Sequence, residues 1–222
     1  MSSFETLRLA HSSTVGRVVD ELRRALFDGE VEAGTPLREI ALADAMGVSR
    51  STIREALGTL VAEGLATREP NRGVHVTELD PEAVHDVCTA RAVLELAGVR
   101  RWEEAREPAR EACRQALRDF TSAAEADASP AELTAAHLSI HRAFVALTES
   151  ARLEALAESL TAEIRLALAK VDRIRRNAGD QVHSHEKLLG LLDDGDLEGA
   201  VTELTHHLQD AEASMLTALD LT

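Results

Sequence analysis

The chain has few of the residues that mark several common classes of protein. It contains no tyrosine, one tryptophan and four phenylalanines in 222 residues. Because single-stranded nucleic acids are usually bound by stacking bases on aromatic side chains, this scarcity disfavours that function. No apolar run reaches the length needed to cross a bilayer, and the N-terminal residues include no hydrophobic region of a secretory signal. We therefore expect a cytoplasmic protein that does not bind a membrane.

Cysteine is also scarce. Cys88 and Cys113 both lie within helical patterns. Small thiol side chains in such positions are usually buried and reduced. The sequence therefore predicts neither a disulfide nor a catalytic cysteine.

Residues 47–57, GVSRSTIREAL, have the pattern of a recognition helix and the turn that precedes it. Gly47 is suited to end one helix, and Ser49 to cap the next. Apolar residues at helical spacing define one face, whereas polar and basic residues occupy the first turn and a half. In helix-turn-helix proteins this end of the helix reaches base edges. We predict DNA contacts from Ser49, Arg50, Ser51, Thr52 and Arg54.

Two short β-prone runs follow at 64–67 and 74–77, separated by the turn-forming sequence EPNRG. This pattern predicts a β-hairpin wing. Arg72 at its tip would contact a phosphate or the minor groove, and Gly73 would let the backbone approach closely. Residues Thr14 to Phe27, before the motif, have the pattern of an amphipathic helix. Together these elements predict a winged helix-turn-helix domain over residues 1–78.

This predicted domain resembles the winged-helix domain of the GntR family of bacterial transcription regulators. The resemblance covers about residues 12–78 and depends on the motifs LxExxLA, from Leu37, and GVSRxxxREAL, from Gly47, and on EGL followed by RG in the wing. It implies that the recognition-helix and wing residues named above bind double-stranded DNA. Some relatives carry a DNA-contacting arginine where this chain has Ile40, so the operator sequence does not carry over from them.

The charge of the chain limits how it can bind DNA. The formal net charge is −15, and the first 78 residues hold nine arginines, no lysine and twelve carboxylates. An acidic protein with a small basic surface should have a low affinity for nonspecific DNA, because nonspecific binding depends on contacts between basic residues and phosphates. We therefore expect this protein to depend more strongly on base contacts and on the pairing of two DNA-binding domains.

From Asp80 onward, β-prone runs give way to helical patterns rich in alanine, leucine, glutamate and arginine. We predict an all-α domain over residues 79–222, so the chain as a whole is mostly α with a small β-wing. The predicted helices lie at about 81–98, 99–106, 108–126, 130–148, 151–176, 180–194 and 196–219. Their short connections favour an antiparallel bundle.

Four histidines are spaced so that these helices can bring them together. His137 and His141 are four residues apart and share one helix face. His185 lies ten residues before Gly195, and His207 lies twelve after it. Because Gly195 marks the turn of a helical hairpin, these two residues should lie side by side. A cluster of imidazoles on three helices suits Zn²⁺, Ni²⁺ or a similar divalent ion.

The alternative is a set of ordinary histidines. A lone helical histidine is more often a surface or hydrogen-bonded core residue, and His11, His75 and His85 are interpreted in this way. His183 and His206 are rotated away from the faces that carry their neighbours in the predicted cluster. Spacing alone leaves the metal site and the core histidines as open alternatives.

Residues 81–222 resemble the FCD ligand-binding domain of FadR-type GntR regulators. The family motif DxxFH aligns with residues 137–141, the next family histidine with His185, and the last with His207. The resemblance implies a bound divalent metal, with His137 in the position of the family's acid. Replacing an anionic oxygen ligand by a neutral nitrogen predicts a preference for Zn²⁺ or Ni²⁺ and a stronger attraction for an anion. The alternative is an altered or lost site.

Arg91 is a candidate for binding an effector. It lies in RAVLE, which matches the family motif RxxLE. A guanidinium binds a carboxylate through two parallel hydrogen bonds, so the metal and Arg91 would hold a small organic acid at both ends. The alternative is an ion pair of Arg91 with Glu95 along the helix. Arg165, in the middle of a long helix, is a second effector-binding candidate.

A metal-dependent helical-bundle enzyme with an added DNA-binding domain is the competing class. Ferritin-like centres need two ExxH pairs, and only Glu82 with His85 fits; the HExxH motif fails at Leu189. A purely architectural DNA-binding protein would leave the histidines on apolar helix faces unexplained. We therefore predict a regulator, acting as a repressor, that binds an inverted repeat as a homodimer and responds through the linker at 78–81.

Overall fold

The computed structural model describes residues 13–78, 80–126, 128–174 and 178–220. The N-terminal part contains three helices and a two-stranded antiparallel sheet. These elements are α1 (Thr14–Phe27), α2 (Glu39–Met46), α3 (Arg50–Ala62), β1 (Ala66–Glu69) and β2 (Gly73–Val76). In the sheet Ala66 pairs with Val76, and Glu69 pairs with Gly73.

Helix α1 has the amphipathic pattern predicted for it. Ser13 caps its N-terminus by accepting a hydrogen bond from the backbone N–H of Gly16. Val18, Leu22 and Leu26 are buried on one face. They pack with fully buried residues of α3 and of the sheet, so the three helices and the wing share one small core.

The C-terminal part is a bundle of six helices among the residues described. They are α4 (Pro81–Val99), α5 (Glu107–Glu125), α6 (Pro130–Ala146), α7 (Ala151–Ile174), α8 (Ala178–Asp193) and α9 (Leu197–Asp220). Asp80 caps α4, and Ser129 forms a capping box with Glu132 at the start of α6. The predicted fold class, mostly α with a small β-wing, is confirmed.

The helix predicted at 99–106 is wrong. After Val99 the backbone forms turns in which Arg101 donates to the carbonyl of Gly98, and Trp102 to that of Val99. These bonds span three residues instead of four and end the α-helical ladder. They turn Trp102 and Ala105 into the core, where both are buried.

Helix α7 joins the two parts of the molecule. Ala162 and Leu166 pack against the core of the N-terminal part. One residue away, the guanidinium of Arg165 lies 3.8 Å from the ring centroid of Phe27 in α1. The predicted linker includes Leu79, which lies outside the described residues. Contact between the two parts therefore runs through α7 as well as along the chain.

None of the helices in the described part of the chain combines the length and hydrophobicity of a membrane span.

Candidate functional site

The start of α3 is held by its cap. Gly47 has φ 65°, a left-handed conformation that lets α2 end and the chain turn. The Ser49 hydroxyl accepts a hydrogen bond from the backbone N–H of Thr52 at 3.1 Å and lies 2.7 Å from the Ser51 hydroxyl. The predicted cap is therefore present, and the hydroxyls around it sit together at the exposed end of the helix.

Two arginines of this end share one carboxylate. Arg54 donates from Nε and Nη2 to Glu39 of α2, at 3.0 and 2.7 Å. Nη2 of Arg50 lies 3.9 Å from the same carboxylate. The two arginine side chains remain about 60% exposed. They are therefore accessible to a duplex, while one of them has a fixed orientation.

The wing presents one further arginine. Arg72 has a side chain that is 75% exposed and pairs with Glu69 at 2.7 Å. Gly73 has φ 85°, and a Cβ at this position would meet no atom within 4 Å. Backbone conformation, rather than lack of space, therefore favours glycine at this position.

The four predicted histidines lie together in the C-terminal bundle. His137 and His141 extend from α6, His185 from α8 and His207 from α9, and one nitrogen of each lies within 4.8 Å of those of the others. The rings of His185 and His207 are 4.4 Å apart between centroids. Phe120 of α5 stacks on His137 at 5.2 Å and covers one side of the cluster.

In His185 and His141 the Nδ1 atom, which points away from the cluster, has a hydrogen-bond partner in the protein. Nδ1 of His185 lies 2.7 Å from the backbone carbonyl of Gln181, which only accepts hydrogen bonds, so this nitrogen is the donor. Nδ1 of His141 lies 2.7 Å from the carboxylate of Glu95. With Glu95 ionised, both Nε2 atoms carry lone pairs, and they lie 3.2 Å apart. Such a pair repels unless a cation lies between the two nitrogens.

Glu95 is a buried carboxylate behind the cluster. It is 2% exposed and accepts a hydrogen bond from Nε of Arg91 at 2.5 Å. Burial raises the pKa of Glu95 to about 7, while Arg91 opposes this rise. The ion pair along α4 therefore forms, but it is buried and bonded to a histidine instead of being solvated.

Burial keeps the histidines in their neutral form. It lowers the pKa of His185 to about 4 and that of His207 to about 2. Burial and the neighbouring imidazoles place the pKa of His137 well below its ordinary range, and burial with Arg91 does the same for His141. Neutral imidazole is the form that binds metal ions.

The donor set fits a divalent metal. Nε2 of His141 lies 3.1 Å from that of His137 and 3.2 Å from that of His185. Ligands about 2.0 Å from a tetrahedral zinc are roughly 3.3 Å from one another, close to these distances. Nε2 of His207 is buried without a hydrogen-bond partner. The carboxylate of Glu95 behind His141 is the type of outer partner that orients a metal-binding imidazole.

Two cavities of different size lie against the cluster among the described residues. The one beside Arg91, Glu95 and His141 holds only about 10 Å³. The other, of about 420 Å³, opens at His207 and is lined by acidic residues that include Asp180, Glu203 and Asp210. The acidic groove would attract a cation, whereas the space beside Arg91 is too small for an organic acid.

Arg165 lines a different cavity, between the N-terminal and C-terminal parts, in contact with Phe27. The structure therefore brings Arg91 to the histidines and places Arg165 elsewhere. Glu95 was not predicted as a site residue, although its spacing from Arg91 in the RxxLE motif was visible. The spacing did not indicate that Arg91 and Glu95 are buried, or that Glu95 contacts His141.

Both parts of the chain match known protein families. The model of "Bacterial regulatory proteins, gntR family" matches residues 14–76, and that of the FCD domain matches residues 86–210. A probable D-xylose utilization operon transcriptional repressor of Paenarthrobacter nicotinovorans is 28% identical over 203 residues, covering 90% of this chain and 88% of that protein.

Solved structures of other proteins have the same fold as this chain. A GntR regulator from Rhodococcus sp. RHA1 is 30% identical, with a TM-score of 0.79, and the alignment covers 93% of this chain and 99% of that one. Escherichia coli McbR/YncC, 21% identical with a TM-score of 0.74, shares the fold.

The fold and the exposed recognition helix define a DNA-binding transcription regulator. The chain belongs to the GntR family, with the combination of winged-helix and FCD domains that fits the FadR type.

Proposed function

We propose that this regulator is a metal-dependent repressor whose FCD domain binds one divalent ion through His137, His141, His185 and His207. The observation that carries this proposal is the convergence of four neutral imidazoles on one point, with one nitrogen of each within 4.8 Å of the others. An all-nitrogen set favours Zn²⁺ or Ni²⁺ over Mg²⁺ or Mn²⁺. A bound cation would supply the positive charge that the facing lone pairs require.

The repressor assignment is supported by relatives with known names. The relative from Paenarthrobacter nicotinovorans is named a repressor, and so is the gluconate operon repressor of Bacillus licheniformis, 39% identical over 87 residues. We propose a homodimer on an inverted repeat, because one recognition helix reads few base pairs. Ser49, Arg50, Ser51, Thr52 and Arg54, together with Arg72 and Gly73 of the wing, are the proposed DNA-binding residues.

An effector is proposed to act at Arg91. Nη2 of Arg91 is buried without a hydrogen-bond partner, so it remains a free donor for a carboxylate. The adjoining cavity of about 10 Å³ has room for one water at most, so a small organic acid needs the wall to move. That wall includes Leu160, Thr161 and Ile164 of α7.

Movement of α7 would reach the DNA-binding domain directly. Ala162 and Leu166, on the same helix, pack against the core of that domain. A ligand that enters beside Arg91 would therefore bias the position of α7 and, through it, of α1 and α3. Such coupling between two sites is typically about 1–3 kcal/mol.

Metal content and DNA binding test the proposal together. Purified protein should contain about one divalent ion per chain, and His185→Ala should remove it. His183→Ala is the matched control, because His183 is on the same helix with a side chain 84% exposed. Metal removal should also change affinity for an operator containing an inverted repeat. Metal-free wild-type protein with unchanged stability and operator affinity after chelator treatment would overturn the proposal.

A further inference from the structure

The cavity that Arg165 lines between the two domains is not used by the proposed metal site. Its volume is about 550 Å³. It is lined on one side by Arg23, Phe27 and Glu63 of the DNA-binding domain and on the other by Arg142, Glu158 and Arg165 of the FCD domain. We call it the bridging cavity. Its size is within the range of about 300–1,000 Å³ that is usual for small-molecule sites.

The charges of the bridging cavity do not cancel. Arg23 is paired with Glu63, with Nε to Oε2 at 2.9 Å. Arg142 lies 3.2 Å from Glu158. Arg165 forms no ion pair with any described carboxylate, and its Nε is buried without a hydrogen-bond partner. The charge of Asp28 acts on Arg165 from a distance, but Asp28 is itself paired with Arg24 at 2.9 Å. The Arg165 guanidinium therefore has no ion-pair partner among the described residues, in a chain whose formal net charge is −15.

The position of Arg165 is fixed by its neighbours. The guanidinium lies 3.8 Å from the ring centroid of Phe27, and Nη2 is 3.4 Å from the backbone carbonyl of Ala131. A stacked guanidinium keeps the donors at its edge free, and an edge of this kind binds a carboxylate or a phosphate through parallel hydrogen bonds. Hydroxyls of Ser159 and Thr161 also line the cavity and can donate to the same anion, whereas the hydroxyl of Ser139 donates to the backbone carbonyl of Ala135.

We propose that the bridging cavity binds a small organic anion, a phosphate ester or a carboxylate, with Arg165 as its main ligand and Arg142 beside it. Since Phe27 and Arg23 belong to the DNA-binding domain, an occupant contacts both domains at once. The same cavity is adjacent to α6, where Leu138, Ser139 and Arg142 face it while His137 and His141 face the histidine cluster. The bridging cavity adjoins the proposed effector position at Arg91, since Arg142 and Thr161 line both cavities, but Arg165 lines only the former and Arg91 only the latter.

Calorimetric titration tests this assignment with two probes, inorganic phosphate and citrate, at a constant ionic strength set with sodium chloride. The wild-type protein should bind at least one probe saturably, and Arg165→Gln should weaken that binding by tenfold or more. Arg118→Gln should retain it within twofold, because Arg118 is an exposed arginine of α5 paired with Glu111 and outside the cavity. Binding of phosphate identifies a phosphoryl ligand, and binding of citrate alone identifies a carboxylate.

A purely structural role for Arg165 predicts a different result. In that case Arg165→Gln lowers the melting temperature but leaves anion binding intact, which overturns the proposal. Absence of saturable binding of both probes to the wild-type protein does the same. If Arg165→Gln does not fold, Arg142→Gln provides the test, because Arg142 is 47% exposed and should weaken binding without loss of structure. Binding that persists after chelator treatment separates this site from the metal centre.

Discussion

Glu39 accepts two hydrogen bonds from the guanidinium of Arg54, at 3.0 and 2.7 Å, and so connects α2 to the recognition helix. The hydrogen bonds and the charge of Arg54 lower the pKa of Glu39, so the carboxylate is ionised at neutral pH. The contact holds a guanidinium in one orientation before DNA is bound. It also keeps a negative charge beside the surface that would approach phosphates.

Glu39→Gln should therefore change affinity and specificity in opposite directions. Loss of the negative charge should strengthen binding to random DNA, whereas a less fixed Arg54 should read the operator less well. We expect the ratio of operator to random-DNA affinity to fall about tenfold, equivalent to roughly 1.4 kcal/mol. Fluorescence anisotropy on both duplexes measures it.

Glu55→Gln is the control for this experiment, since it removes the same charge from an exposed position of α3. It should leave the ratio nearly unchanged. Equal changes in the two variants would mean that Glu39 acts by charge alone.

Substitution of the recognition-helix arginines should affect DNA binding differently from substitution of the wing arginine. Arg50→Ala and Arg54→Ala should each weaken operator binding by about 1–3 kcal/mol and relax base preference, because they stand at the reading end of α3. Arg72→Ala should weaken operator and random DNA similarly, because a wing-tip arginine contacts the backbone or minor groove. Binding to a set of operators with single base changes measures both effects. Equal losses on every duplex for all three variants would contradict base reading by α3.

Glu95→Gln tests the carboxylate behind the metal centre. Glutamine keeps the size of the side chain but loses the negative charge next to Nδ1 of His141. That charge makes Nε2 of His141 a stronger metal ligand. Loss of such a partner typically lowers metal affinity about 10- to 100-fold. Competition with a chromophoric chelator measures the affinity, and circular dichroism checks the fold. Unchanged metal affinity in a folded variant would show that Glu95 serves only to balance Arg91.

The stability of chelator-treated protein should fall as the pH is lowered from about 6.5. The pKa of His185 is lowered from 6.5 to about 4, so the unfolded chain takes up a proton in this interval that the folded chain does not. The other three clustered histidines act in the same direction. The pKa of Glu95, raised from 4.5 to about 7, acts oppositely, but it is one group against four.

By pH 4, His185 alone should reduce the free energy of unfolding by roughly 3 kcal/mol. Urea unfolding at a series of pH values measures this loss, and His185→Gln should make the dependence shallower. A free energy of unfolding that stays constant from pH 6.5 to 4.5 would mean that the histidines are not buried in the neutral form.

Local patterns predicted much of this molecule. Thr14–Phe27 was predicted as an amphipathic helix, and the helix has those ends. The hairpin spacing of His185 and His207 was sufficient to predict that they are neighbours, because two helices joined by a short turn run antiparallel. These features depend on residues close in sequence, or related by one turn.

What the sequence missed depends on contacts between distant residues. The segment 99–106 has helical composition, but burial of Trp102 and Ala105 in the core overrides it. Arg165 on an apolar helix pattern gave no sign of a partner in α1, 138 residues earlier, because packing between domains leaves no period in the sequence. The burial of Glu95 was hidden for the same reason.

Gly98 should be intolerant of any side chain. It lies in α4 where that helix crosses α6, and a Cβ there would be 1.8 Å from the carbonyl oxygen of Phe144. Because the obstacle is backbone, α4 and α6 would have to separate, and with them Glu95 and His141. Gly98→Ala should lower the free energy of unfolding by about 3 kcal/mol or more. Gly190→Ala is the control, since a Cβ there meets nothing within 4 Å. Because alanine favours a helix more than glycine does, this variant should raise the free energy of unfolding by at most ~1 kcal/mol.

The contact of α7 with the DNA-binding domain predicts a variant in which metal binding no longer affects operator affinity. Leu166 packs against the core of that domain, whereas Ile164, two residues before it on α7, borders the cavity beside Arg91 and His141. Residues two apart on an α-helix are rotated by about 200°, so the two side chains lie on opposite faces of α7. Leu166→Ser should weaken this contact and leave the histidines in place. Metal should then bind with unchanged affinity, while the change in operator affinity on metal removal, about 5- to 150-fold for a typical coupling, should largely disappear. Leu156→Ser is the control on the same helix, because Leu156 is 56% exposed and should keep the wild-type response. If Leu166→Ser responds to metal as the wild-type protein does, the signal between the domains does not pass through α7.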